Sequence, residues 1–253
     1  MSTPSQNSQV VLITGALAGI GRATALAFAR AGANVVVSGR NEEKGAQLSR
    51  EIAALGAAAE FIHADVRRDD DMRRLIDGAV SRFGRLDVAV NNAGTEGTPG
   101  PITEQSPESY AAVFDTNVLG VLLSMKHELR VMTAQKSGNI INLSSTFGRI
   151  GGANASLYVA SKHAVEGLTK SAALEGAPFG VRVNIVAPGP IETEMLARFA
   201  GGEEGKAKFA QGIPLKRLGR PEEIADAIVF IASPRASFIS GASIPVNGGK
   251  AAL

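Results

Sequence analysis

The chain of 253 residues contains no cysteine. This excludes disulfides, thiolate metal sites and cysteine nucleophiles, and it fits a reducing compartment. Histidine is scarce too. His63, His127 and His163 have no metal-ligand spacing among them, so no metal site is expected. The absence of a G-x-S-x-G elbow argues against a serine hydrolase. No apolar run approaches the ~18 residues needed to span a bilayer. The opening MSTPSQNSQ has neither positive charge nor an apolar stretch, so residues 1–8 read as a short frayed tail and not as a signal peptide. Charge is nearly balanced: 26 basic against 24 acidic residues leave +2, with no block of one sign, which gives no footing for a nucleic-acid or membrane surface. A cytoplasmic, soluble protein is expected.

What the chain does have is regular alternation. Short β-branched runs, VVLIT (10–14), NVVVS (34–38), EFIHA (60–64), LDVAVNN (86–92), NIINLS (139–144), RVNIVA (182–187) and SIPVN (243–247), read as strands. Between them lie helical stretches at 19–32, at 41–55 with Asn41 as N-cap, and at 69–83, where Met72, Leu75, Ile76, Ala79, Val80 and Phe83 recur at helical spacing. Ser106-Pro107 opens a further helix, with a break allowed along its course, that runs to about 135. Another helix contains Tyr158, and one more starts at Pro221 and ends before Pro234. The stretch 188–215 reads as irregular. Nearly all-apolar strands alternating with helices imply an α/β fold, a parallel sheet of about seven strands covered on both faces. No composition break or repeat suggests a second domain, so 9–253 is expected to form one unit.

Directly after the first strand comes TGALAGIG, which places Gly15, Gly19 and Gly21 at the mouth of a helix. Glycines let a pyrophosphate approach the backbone, and the helix start offers free N–H groups and a partial positive charge. The spacing is G-x-x-x-G-x-G, not the common G-x-G-x-x-G, so the turn alone is only suggestive. The residues that follow each later strand are also small, polar or charged: Gly39-Arg40, Asp65-Val66, Asn92-Ala93-Gly94, Ser144-Ser145 and Pro188-Gly189. In a doubly wound sheet these strand ends converge on one edge, where ligands bind.

LYVASK (157–162) sets Tyr158 and Lys162 four apart, about 40° around a helix and ~6 Å along it. A nearby ammonium favours phenolate and lowers a phenol pKa from ~10, which suits a general acid or base. By itself such a pair is usually coincidence. Taken in order, the glycine turn, NNAG, NLSS, YVASK, the PG after strand six, RLGRPEEIA (217–225) and NGG (247–249) resemble the short-chain dehydrogenase/reductase family over roughly residues 9–249.

The resemblance implies a single-domain Rossmann-type fold with a substrate lid at about 189–215. It also implies hydride transfer between a nicotinamide coenzyme and a secondary alcohol or ketone. Tyr158 would be the acid/base, and Lys162 would hold the ribose hydroxyls and tune the tyrosine. Ser145, thirteen residues before Tyr158, would bond the substrate oxygen, with Ser144 as runner-up. Asn117 would kink its helix and anchor a water. Gly15, Gly19, Ile20 and Gly21 would cradle the pyrophosphate, Asp65 and Val66 would flank the adenine, and Asn92, Ala93 and Gly94 would line the ribose side. Pro188, Gly189, Ile191 and Thr193 would meet the nicotinamide end, while Asn91 would brace the sheet.

Gly39 stands where an acid would bond a free 2′-hydroxyl, and Arg40 follows it, which favours NADP(H), with NAD(H) the alternative. Phe147, Ile191, Met195, Leu196 and Phe199 suggest an apolar, cyclic alcohol or ketone as substrate. Glu96 and Asn154 are the polar exceptions, and Glu194 is expected to face solvent. A homotetramer is implied by the family. The competing readings are a non-catalytic nucleotide sensor on the same fold, and sugar or 3-oxoacyl specificity within the same chemistry.

Overall fold

The computed structural model describes residues 8–252. Most of the expected frayed tail, residues 1–7, lies outside the described residues. The strands are β1 (Val10–Thr14), β2 (Asn34–Gly39), β3 (Ala59–His63), β4 (Val88–Asn91), β5 (Gly138–Leu143), β6 (Val181–Pro188) and β7 (Ser243–Val246). All pair in parallel in one sheet of order β3-β2-β1-β4-β5-β6-β7. This is the doubly wound, Rossmann-type arrangement. The strand order reverses at β1, which pairs with β2 on one side and β4 on the other.

The helices are α1 (Gly19–Arg30), α2 (Glu42–Ala54), α3 (Asp69–Phe83), α4 (Pro107–Phe114), α5 (Gly120–Gln135), α6 (Ser156–Gly176), α7 (Glu194–Ala200), α8 (Glu203–Gln211) and α9 (Pro221–Ala232). Strand side chains alternate between two cores, as a period of two requires. Val11, Ile13, Val35, Val37, Val90 and Ile141 meet α1, α2 and α9 through Phe28, Leu48, Ile52, Ile224 and Ile228. Leu12, Val36, Ala89 and Ile140 meet α3, α5 and α6 through Met72, Leu75, Ile76, Met125 and Val165. Burial on both faces is why these strands carry no polar alternation.

Local signals place several boundaries. Asn41 caps α2 by accepting from the Lys44 amide at 2.9 Å, and Ser106 caps α4 by accepting from Ser109 at 3.2 Å. The α1 helix stops at Arg30, short of the expected Gly32, whose φ of +83° turns the chain toward β2. β3 begins one residue earlier than expected, and β4 is shorter than 86–92. The break between α4 and α5 is a π-helical turn, Asp115–Leu119.

The stretch 188–215 is not irregular throughout. It contains α7 and α8, separated by Gly201 and Gly202 at φ +71° and +118°. Among the described residues no helix is long and apolar enough to cross a membrane.

Candidate active site

The C-terminal ends of β4, β5 and β6 open into one cleft of about 500 Å³. Ile20, within the glycine turn at the switch point, lies on its wall. Gly15 has φ +61°, and a Cβ there would lie 2.7 Å from the Ala93 Cα. At Gly21 a Cβ would lie 2.4 Å from the Gly15 carbonyl oxygen. Only glycine permits this closeness. Ala18 offers α1 no side-chain cap, so the first amides of the helix are left free for an anion. The turn therefore fits a dinucleotide pyrophosphate.

Asn92 braces the turn. Its Nδ2 donates to the carbonyls of Thr14 at 3.1 Å and Gly15 at 2.9 Å. Its side chain is thus spent on protein. Ala93 packs behind, against Gly15 and the α3/α5/α6 core. Gly94 lines the cleft beside Lys162.

The end of β5 distinguishes the two serines. Ser144 is buried, and its hydroxyl donates back to the Lys162 carbonyl at 3.5 Å. Ser145 has extended backbone and lines the cleft, and its Oγ accepts from the Phe147 amide at 3.2 Å. The Tyr158 ring stands edge-on to Phe147, with centroids 6.3 Å apart. The Lys162 ammonium is 5.5 Å from the Tyr158 ring centroid and donates to the Leu143 carbonyl at 2.8 Å.

The electrostatics correct one expectation. The Tyr158 phenol is not lowered by its lysine neighbour. Burial pushes it up to about 12, its hydrogen bond with Ser145 pulls the other way, and the Glu96 charge adds to the rise. The lysine aims its charge at a carbonyl rather than at the phenol oxygen. Burial in turn pushes Lys162 down to about 8, and the charge of Glu166 opposes that fall.

Asn117 sits in the π turn, fully enclosed. Its Oδ1 accepts from the Thr95 amide at 2.8 Å, and its Nδ2 donates to the Thr95 carbonyl at 2.9 Å and to Ser161 Oγ at 3.0 Å. The kink expected at this residue is present. With three bonds to protein, the side chain is a brace between the β4 loop and α6.

Pro188, Gly189, Ile191 and Thr193 line the cleft beyond β6, with Ile20 opposite. Thr193 caps α7 by accepting from the Leu196 amide at 3.2 Å. A Cβ at Gly19 would lie 3.1 Å from Thr193 Cγ2, so the start of α7 sits on the glycine turn. Arg40, Asp65 and Val66 lie outside this cleft, after β2 and β3. Arg40 is exposed, and its charge reaches Asp65. Asp65 is paired with Arg67 at 2.5 Å, and the hydrogen bond from Arg67 holds its carboxyl below the usual range. Val66 is 9% exposed and packs on Gly120.

Phe147, Met195, Leu196 and Phe199 do line the cleft, joined by Ile150 and Phe209. Phe209 escaped the sequence reading because its helix did. Glu96 also lines the cleft, bonded to Arg198 of α7 at 2.7 Å. Asn154 does not; it lies exposed on a turn at φ +62°. Glu194 faces solvent as expected. Asn91 braces the sheet, donating to Asn142 at 2.9 Å and to the buried Glu128 at 3.0 Å.

A family model described as enoyl-(acyl carrier protein) reductase matches residues 15–251. The chain is 43% identical over 242 residues to a cyclohexanol dehydrogenase of Acinetobacter sp. (strain SE19), covering 96% of this chain and 94% of that one. It is 42% identical over 245 residues to a cis-4-hydroxycyclohexanecarboxylate dehydrogenase of Sinomonas cyclohexanicum, covering 97% of each. Among solved structures, an actinorhodin polyketide ketoreductase with NADPH superposes with TM-score 0.94 at 33% identity, covering 99% of this chain and all of that one. A 3-ketoacyl-(acyl-carrier-protein) reductase of Brucella melitensis with NADH gives 0.91 at 33% identity, with 98% of this chain and all of that one covered.

Proposed function

The chain belongs to the short-chain dehydrogenase/reductase family, and from this premise we propose that it oxidises an apolar cyclic secondary alcohol, or reduces the matching ketone, with NADP(H). The protein is an NAD(P)-dependent oxidoreductase of alcohols and ketones. The observation that carries the substrate reading is the cleft wall. One side presents Ser145, Tyr158 and Lys162, and most of the rest is apolar: Phe147, Ile150, Met195, Leu196, Phe199 and Phe209. Two relatives named for cyclohexane-ring alcohols fit such a wall.

A coenzyme bound on the glycine turn would supply or accept the hydride. Ser145 donates a hydrogen bond to the substrate oxygen and fixes its position. In reduction Tyr158 gives its phenolic proton to that oxygen, and in oxidation it takes the proton back. A neutral phenol is the form needed to donate, and burial keeps it neutral. Lys162 would hold the coenzyme ribose hydroxyls. Asn117 holds the β4 loop and α6 in register. Gly15, Gly19, Ile20 and Gly21 would receive the pyrophosphate, and Asp65 and Val66 would flank the adenine. Asn92, Ala93 and Gly94 would form the ribose wall. Pro188, Gly189, Ile191 and Thr193 would hold the nicotinamide. Arg40 would hold the 2′-phosphate.

In this reading residues 9–253 act as one catalytic domain, and the segment 189–215, with α7 and α8, is a lid over bound substrate. The assembly is a cytoplasmic homotetramer. Exposed Leu122 on α5 and Leu174 on α6, the latter 79% exposed, support a partner surface there. The test is turnover of cyclohexanol and cyclohexanone with each coenzyme, followed by reduced-coenzyme absorbance, beside acyclic, sugar and acyl-thioester substrates. Faster turnover of a sugar or acyl thioester than of the ring compounds would overturn the substrate reading.

A further inference from the structure

We propose that Glu166 is the counter-charge that keeps Lys162 an ammonium in its dry setting, and so sets the alkaline limit of turnover. The inference rests on the function proposed above for the same cleft. Glu166 lies one turn after Lys162 on α6, as Tyr158 lies one turn before it, so the three fall on one side of the helix. Lys162 is 5% exposed and Glu166 is 7%. Neither forms a direct ion pair among the described residues.

The Glu166 carboxylate has been given a place. Its Oε1 accepts from Ser243 Oγ of β7 at 2.9 Å. Gly148, in the turn after β5, leaves it room, since a Cβ there would lie 3.1 Å from Oε1. A buried carboxylate with one hydroxyl donor is costly unless a charge compensates it.

No other group that faces Lys162 supplies an unpaired negative charge. On α6 the other one is the Tyr158 phenol. From β5 the Leu143 carbonyl accepts from the ammonium, and Ser144 and Ser145 are neutral. Gly94 approaches from the β4 loop, where Glu96 is already paired with Arg198. Asn117 and Ser161 are neutral and bonded to each other. Ser243 contributes a hydroxyl, and the exposed Arg149 is engaged with the Ser243 carbonyl. Glu166 is therefore the unpaired carboxylate of the set. Burial works against the ammonium and the Glu166 charge works for it. Remove that charge, and the ammonium is lost at lower pH.

Glu166→Gln tests this, because the amide keeps the volume and an acceptor for Ser243 while losing the charge. Ketone reduction, which uses the neutral phenol, is measured against pH, with coenzyme Kd from reduced-coenzyme fluorescence across the same range. A lysine side-chain NMR titration of the free protein provides a readout independent of turnover. The alkaline limb of kcat, the weakening of coenzyme binding and the lysine titration are all expected to move down together by about one pH unit. Glu166→Asp, which keeps the charge, should reverse most of the shift. A limb that does not move, or a loss of kcat equal at every pH, overturns the proposal, since the second result is what a packing role alone would give. If the unmodified protein binds coenzyme but oxidises no alcohol, the proposed function has failed. The lysine titration then still decides whether Glu166 acts on Lys162.

Discussion

Asn117→Ala should cost both stability and rate, and the structure says how much of each. The substitution removes three hydrogen bonds, to the Thr95 amide, the Thr95 carbonyl and the Ser161 hydroxyl. Each is worth about 1 kcal/mol net, and a buried partner left unpaired costs ~1–3 kcal/mol more. Water entering from the part-buried Thr95 loop repairs some of that, so about 3 kcal/mol in total is a fair expectation. For a chain of this size ~2–4 °C is lost per kcal/mol, which gives a fall in Tm of about 6–12 °C.

The rate should fall further than the fold does. Thr95 lines the cleft, and Ser161 immediately precedes Lys162, so both walls shift when the brace goes. Calorimetry gives Tm, and kcat measured well below the variant's Tm separates the two effects. A variant with unchanged Tm would refute the hydrogen-bond accounting. A variant with lowered Tm but full kcat would refute the coupling between the brace and the chemistry.

Tyr158→Phe should lower kcat by about 10²–10⁴-fold while coenzyme binding by fluorescence stays nearly unchanged, because the hydroxyl carries the proton and the ring still packs; half the activity retained would exclude Tyr158 as the acid/base. Arg40→Ala should lower kcat/KM with NADPH about tenfold and leave NADH nearly untouched, the low end for a charge-assisted bond because Arg40 is exposed. The same fold-loss with both coenzymes would show that Arg40 does not read the phosphate. Gly39→Asp is the less clean test, since a Cβ there would lie 2.6 Å from Leu17 Cδ1 and disturb the glycine turn itself. Burial pushes Glu128 up to about 8, whereas an unfolded glutamate loses its proton near ~4.3. Between those values the unfolded chain binds fewer protons, so this group's contribution falls as pH rises through the window. Glu128→Gln should therefore raise Tm more near neutral pH than at about pH 5; calorimetry showing an equal change at both would refute it.

Much of this molecule is legible in its sequence, and the parts that are not have physical reasons. The strands read well because burial on both faces makes them continuously apolar, and α2 and α4 read well because Asn41 and Ser106 are local caps. The α7 and α8 helices do not, because they are short and Gly201-Gly202 between them is a breaker signal that masks helix on both sides. Asn117 carries no local signature, since its partners are 22 and 44 residues away. Spacing alone put Tyr158 beside Lys162 but says nothing of desolvation, which reverses the expected direction for the phenol. Glu166 looks like any surface glutamate until Gly148 and Ser243 are brought around it.

The switch point has a consequence for how the chain acquires its fold. In a parallel sheet every strand pairing closes a loop that holds at least one helix, and such pairings form slowly. β1 finds β2 after a single helix, but its other neighbour, β4, is made only after β2, α2, β3 and α3. During that interval VVLIT has one open edge of N–H and C=O groups and no charge to repel another chain. Refolding from denaturant should therefore lose yield as protein concentration rises. A chain cut after β3 should aggregate where one extended through β4 and its covering helices does not. The β1–β4 seam at the switch point is thus the last central seam of the sheet's first half to be closed.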